Sequence, residues 1–202
     1  MTDDRWTGHL ARGGRHAEGL MLQKGELLQT FIVHSEDEDR IIVAPYRNAA
    51  EKAEVLRLIT LVCTAQNAQG ITILREAWMR VYDGLSPEEA LAEAAKLPAA
   101  DDPAHREVVF VMVVYYAAAG GAEQLRRLSL IRDIVRNKRG KVTALAADRS
   151  MGEDEALDGA MMRLLPPCWP VPQVIRDAAA AAVERSGLLV HGQVHIHRAG
   201  HA

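Results

Sequence analysis

GITILREAWMRVY, residues 70–82, read with REVVFVMVVYY, residues 106–116, decides the fold. In the first run Ile71, Ile73, Ala77, Met79 and Val81 share one face at period 2, while Thr72, Leu74, Glu76, Trp78, Arg80 and Tyr82 share the other. The second face mixes apolar, aromatic and charged side chains, so this strand covers something or offers a surface there. The second run is apolar on both faces from Val108 to Tyr116, the pattern of a central strand covered on both sides.

Working outward, residues 30–35 and 40–46 are short β-type runs separated by Glu36, Asp37, Glu38 and Asp39, which reads as a hairpin with an acidic, solvated tip. A calcium loop would space its ligands and place a glycine at the sharp turn, and this tip does neither. Asn48 and Glu51 form a helix-start signature, and Val55, Leu58, Ile59, Leu61, Val62 and Ala65 follow at helical spacing up to Gly70, giving the main core helix. Ser86, Pro87 and Glu89 start a short Ala-rich helix that ends near Lys96. Residues 125–136 and 141–146 read as an antiparallel hairpin whose Gly140 supplies a positive φ. The order β-β-α-β-(α)-β-β-β predicts an α+β fold: a largely antiparallel sheet, one main helix against one face, and a C-terminal helix-strand extension.

Three segments are expected: a loose N-terminal arm or one short helix over residues 1–26, an α+β domain over 27–148, and an extension over 149–202. The extension contains the connector PPCWPVP, residues 166–172, which reads as a stiff spacer, then an Ala-rich helix and a terminal strand over 188–197. A lone strand carried away from its own sheet needs cover, so a homodimer through this extension is expected, with Val174, Ile175, Val183, Leu188 and Val190 in the contact.

Composition narrows the functional classes. The 202 residues are 49% hydrophobic and 25% charged, the ordinary globular range. A net charge of −3 argues against a nucleic-acid binder, because phosphate neutralisation needs a basic surface. No apolar run reaches the roughly 20 residues that span a bilayer, and the first residues lack an apolar leader core, so a cytoplasmic protein without membrane contact is expected. Cys63 and Cys168 lack metal or redox spacing, and no cofactor is expected.

Glu76-Ala77-Trp78-Met79, the Asp102-Pro103-Ala104-His105-Arg106-Glu107-Val108 approach to the central strand, and the hairpin from Arg132-Asp133 to Gly140-Lys141-Val142 resemble a family of uncharacterised bacterial and phage-associated α+β proteins. The resemblance covers about residues 31–147. It implies a fold class and no particular activity.

Three constellations carry possible chemistry. Glu76, Trp78, His105, Arg106 and Glu107 come together if the 70–82 strand pairs with the central one, offering carboxylates and a guanidinium beside an aromatic wall for a small-molecule ligand of unspecified kind. The blander alternative is an ion-paired sheet margin, with Glu76 held by Arg106 or Arg75. His195 and His197 would lie about 6.6 Å apart on one strand face, within reach of one metal ion, with His191 and His201 nearby in sequence. Arg126, Arg127, Arg132, Arg136, Lys138, Arg139 and Lys141 form a basic cluster without interleaved aromatics, which reads as a solvated face. Together these features point to a non-catalytic binding or assembly module. The competing class is a metal-dependent hydrolase or nuclease built from strand-end carboxylates and histidines.

Overall fold

A computed structural model describes residues 4–79, 84–96, 105–119, 122–146, 149–151 and 160–186. The strands are β1 (Thr30–His34), β2 (Asp39–Val43), β3 (Gly70–Met79), β4 (Arg106–Ala119), β5 (Ala122–Arg136), β6 (Val142–Leu145) and β7 (Arg149–Met151). They form one antiparallel sheet in the order β2-β1-β3-β4-β5-β6, with short β7 also pairing β5. β4 lies inside this sheet, and its residues Val108, Val109 and Val111 to Tyr115 are buried, as their two-faced apolar pattern requires.

Helix α2 (Ala49–Ala65) begins where Asn48 Oδ1 accepts the Glu51 N–H at 2.9 Å. It lays Leu56, Ile59, Val62 and Cys63 on Phe31, Val33, Ile71, Ile73, Met112 and Val114 from the sheet. Helix α3 (Pro87–Lys96) is capped by Ser86 and Glu89 in both directions, Glu89 N–H to Ser86 Oγ and Ser86 N–H to Glu89 Oε2. Gly140 adopts φ +76° in the turn before β6, as the short hairpin connection requires.

The N-terminal segment is neither a loose arm nor a short helix. It is α1 (Asp4–Lys24), 21 residues that close on Gly25 at φ +79° and pack on the sheet face opposite α2. Gly8, Gly13, Gly14 and Gly19 lower its intrinsic helix preference, which is why local pattern argued against it. Two of those glycines are what let it dock: a Cβ on Gly13 would meet Val111 at 3.0 Å and Thr72 at 3.1 Å, and one on Gly14 would meet Leu130 at 2.8 Å. The sheet is therefore covered on both faces.

The connector 166–172 does not act as a spacer either. Leu164, Leu165 and Val171 are buried, Tyr116 donates its hydroxyl to the Pro166 carbonyl, and Asn67 takes both the Trp169 indole N–H (3.1 Å) and the Val171 N–H (2.7 Å). Asn67 can do this because it sits past the end of α2 at φ +51°, a left-handed position that asparagine tolerates. Helix α4 (Gln173–Ser186) then packs on α2, with Val183 against the core. Proline fixes φ here without carrying the chain away, since a buried surface is available next to it. Leu188, Val190 and the rest of the expected terminal strand lie outside the described residues.

Candidate functional site

At the end of the sheet where β4 starts and β5 finishes, His105, Arg106, Glu107, Asp133, Ile134 and Arg136 line an open groove of about 400 Å³. The register puts Val108 opposite Asp133, so the first residues of β4 lie beside the last of β5. Arg106 pairs with Asp133, and the Arg136 Nε donates to Glu107 Oε2 at 2.6 Å. Arg136 is further fixed by the Gly140 carbonyl at 3.1 Å and the Gly25 carbonyl at 3.4 Å. One oxygen of Asp133 takes the guanidinium, while the other, Oδ1, is buried without a hydrogen-bond partner.

The β3–β4 register sets Trp78 opposite Glu107 and Met79 opposite Arg106. Consecutive strand residues point to opposite faces, so Arg106 and Glu107 diverge and each finds its partner on its own side of the sheet. The Trp78 ring stands edge-on to His105, with centroids 4.2 Å apart, and Trp78 lies on the Glu107 side of the sheet. Of the residues expected here, His105, Arg106 and Glu107 line the groove, and Trp78 reaches it only through its contact with His105. Glu76 does not: it is exposed, and its carboxylate accepts the Leu27 backbone N–H rather than an arginine. Arg75 lies over the Phe110 ring at 5.4 Å instead. Asp133 and Arg136 complete the groove. Their part in it follows from cross-strand register, which no local pattern states.

The basic residues of β5 do not form one surface. Arg127 is buried, Arg132 pairs with Glu18 of α1 at 2.8 Å, Arg136 is engaged as above, and Lys138, Arg139 and Lys141 are exposed in the turn. His195 and His197, the expected metal pair, lie outside the described residues.

A second constellation sits at the opposite end of the sheet, under the N-terminal half of α1. His34 ends β1 and Asp39 opens β2, directly opposite each other in register. His34 Nδ1 lies 2.8 Å from Asp39 Oδ1, and its Nε2 lies 2.7 Å from Thr72 Oγ1. His9 of α1 packs on His34 with ring centroids 3.8 Å apart, and its Nδ1 lies 2.9 Å from an Arg12 guanidinium nitrogen. An arginine only donates, so His9 Nδ1 is the acceptor and its proton, when neutral, sits on Nε2. Burial first, then the neighbouring His34 and Arg12, lowers the His9 pKa to about 3. Burial works to raise Asp39, but the hydrogen bond and charge of His34 leave its pKa below the usual value. Trp6 closes the back, stacked on Tyr115 at 5.0 Å. The ring fits only because residue 70 is glycine, where a Cβ would meet it at 2.4 Å.

The order hydroxyl, imidazole, carboxylate in Thr72, His34 and Asp39 has the layout of an activated nucleophile. Thr72 is 1% exposed and lies directly beneath Gly13, so its hydroxyl cannot meet a substrate. The chain offered a signal for this centre in the spacing of Trp6, His9, Leu10, Ala17 and Met21, which recur at helical intervals between the glycines.

Comparison of the chain with protein-family models, with curated proteins and with solved structures finds no match. Among the described residues, no helix is long and apolar enough to cross a membrane.

Proposed function

We propose that this protein is a non-catalytic binding module of the cytoplasm that holds a small polar ligand in the groove between the start of β4 and the end of β5. The observation that carries this reading is Asp133, whose Oδ1 is buried without a donor while its other oxygen holds Arg106. A buried acceptor left without a donor is costly, and a ligand N–H in the groove would supply one once a small turn of the Asp133 side chain opened Oδ1 to it. Both groove carboxylates are already engaged by guanidinium groups, which favours binding over proton transfer. The ligand class is a small molecule carrying an amino or amidine group, with its polar end at Asp133 and His105 among the residues that line the groove around it.

The test is a ¹⁵N-resolved NMR titration with simple amines and amidines. The expected result is a set of shifts confined to the β4 start and β5 end that disappears in Asp133→Ala. Shifts scattered over the surface, or unchanged in that variant, overturn the reading. Assembly is a second reading, favoured by one observation: Val174 and Ile175 on α4 are 74% and 47% exposed. Light scattering of the full chain and of Val174→Asp decides it, a homodimer that becomes a monomer supporting it and a monomeric parent ruling it out.

A further inference from the structure

We propose that His9, His34 and Asp39 form a binding site for a single borderline divalent metal ion of the zinc class, which ties α1 to the β1–β2 hairpin. One ligand atom from each of the three residues lies within 4.8 Å of the others, although the residues come from three separate elements. Two imidazole nitrogens and one carboxylate oxygen suit Zn²⁺, Co²⁺ or Ni²⁺ and are a poor set for Mg²⁺ or Ca²⁺, which favour oxygen.

The protonation pattern suits the role. His34 shares a proton with Asp39 across 2.8 Å, and a metal ion bound between them would take the place of that proton. The other His34 nitrogen would then carry the proton and donate to Thr72 Oγ1, 2.7 Å away. Metal-ligating histidines need such an orienting partner, and here it is already in place within the sheet. His9 is in the neutral form that ligation requires, since its Nδ1 accepts from Arg12. The centre can be reached from solvent, because the Asp39 side chain is 23% exposed and Arg12 is exposed and able to swing out. Trp6 and Tyr115 seal the other side and keep the imidazoles in position. Arg12 opposes the ion, both by its charge and by its hold on His9, so it weakens binding in the present arrangement.

The experiment is zinc titration by calorimetry of the full-length protein after chelator treatment. Co²⁺ absorption reports the coordination, and melting is followed with and without zinc. His191, His195, His197 and His201 are replaced by alanine throughout, so that ions held by the C-terminal histidines do not count. One equivalent should bind and raise the melting temperature, because an ion that binds only the folded state stabilises it. His34→Gln and Asp39→Asn should each weaken binding by roughly 10–100-fold or more. Arg12→Ala should tighten it several-fold, and this surface change does not depend on the buried variants folding. Loss of all binding with the four tail histidines removed overturns the proposal, as does an affinity that Arg12→Ala leaves unchanged or lowers.

Discussion

The two faces of the sheet are built on different principles. Against α2 the contact is aliphatic, with Ile59, Val62, Ile71, Ile73 and Val114 filling space and no buried charge among them. Against α1 the contact combines aliphatic residues such as Met21, Leu74 and Val111 with a backbone approach at Gly13 and Gly14, and it ends in the His9, His34, Thr72 and Asp39 network beside Trp6. An aliphatic face tolerates small repacking because dispersion and burial have no direction. A face with hydrogen-bonded imidazoles does not, since each buried polar atom needs its own partner.

The sharpest way to break the comparison is to cut one large residue from each face. Trp6→Ala should cost about 3–5 kcal/mol and Ile59→Ala about 2–5 kcal/mol in chemical denaturation, both being buried. Only the first should also loosen the histidines, which ring-proton NMR of His9 and His34 would register. Histidine shifts that move equally in both variants would remove the distinction.

Acid should separate the faces next. His9 is held at about 3 in the folded protein, with His34, Asp39, Arg12 and Arg5 around it, against roughly 6.5 in the unfolded chain. Between those values the unfolded state binds the proton that the folded state refuses, so stability is full above about pH 6.5 and falls as pH drops toward 3. The slope is at most ~1.4 kcal/mol per pH unit for one proton. Asp39, also lowered, adds to the loss below its ordinary range. Melting curves in chelator from pH 7 to 4 should show this decline, with Ile59→Ala displaced downward but parallel. A parent protein equally stable at pH 7 and pH 4.5 would show that His9 is not held neutral.

Smaller effects test local accounts. Glu76→Ala should cost no more than about 1 kcal/mol, because the carboxylate is exposed and caps one backbone N–H. A loss of several kcal/mol would show that it holds a buried arginine after all. On α1, Gly19→Ala meets nothing within 4 Å and should stabilise by roughly 0.5–1 kcal/mol through helix preference alone. Gly14→Ala should gain less, because its Cβ presses on Leu130. Equal gains at both positions would mean that α1 does not rest on the sheet as closely as the structure has it.

The same contrast explains what could be read from the chain. The strands, α2, the cap at Asn48 and the Gly140 turn are legible because each is stated by local period or by one residue with one conformational job. α1 escapes because the feature that docks it, a glycine pair, is the feature that weakens it as an isolated helix. The connector misleads for a related reason: prolines describe its stiffness, whereas its path depends on Asn67, about 100 residues earlier in the chain. Of the groove, His105, Arg106 and Glu107 are visible as residues at a strand start with chemistry to spare, while Asp133 and Arg136 join through register alone. The two buried histidines and Asp39 are hidden by being divided among α1, β1 and the far side of an acidic turn.

The position of α1 also bears on the order in which the molecule assembles. Most strand pairs, β1 with β2, β3 with β4, β4 with β5 and β5 with β6, join neighbours in sequence, and such local pairings close quickly. α1 is made before every strand, yet it rests on β3, β4, β5 and β6, the last of which ends at residue 145. During synthesis its Trp6 and Met21 must wait until more than a hundred later residues have emerged, so a helix that precedes the whole sheet is among the last elements to find its seat.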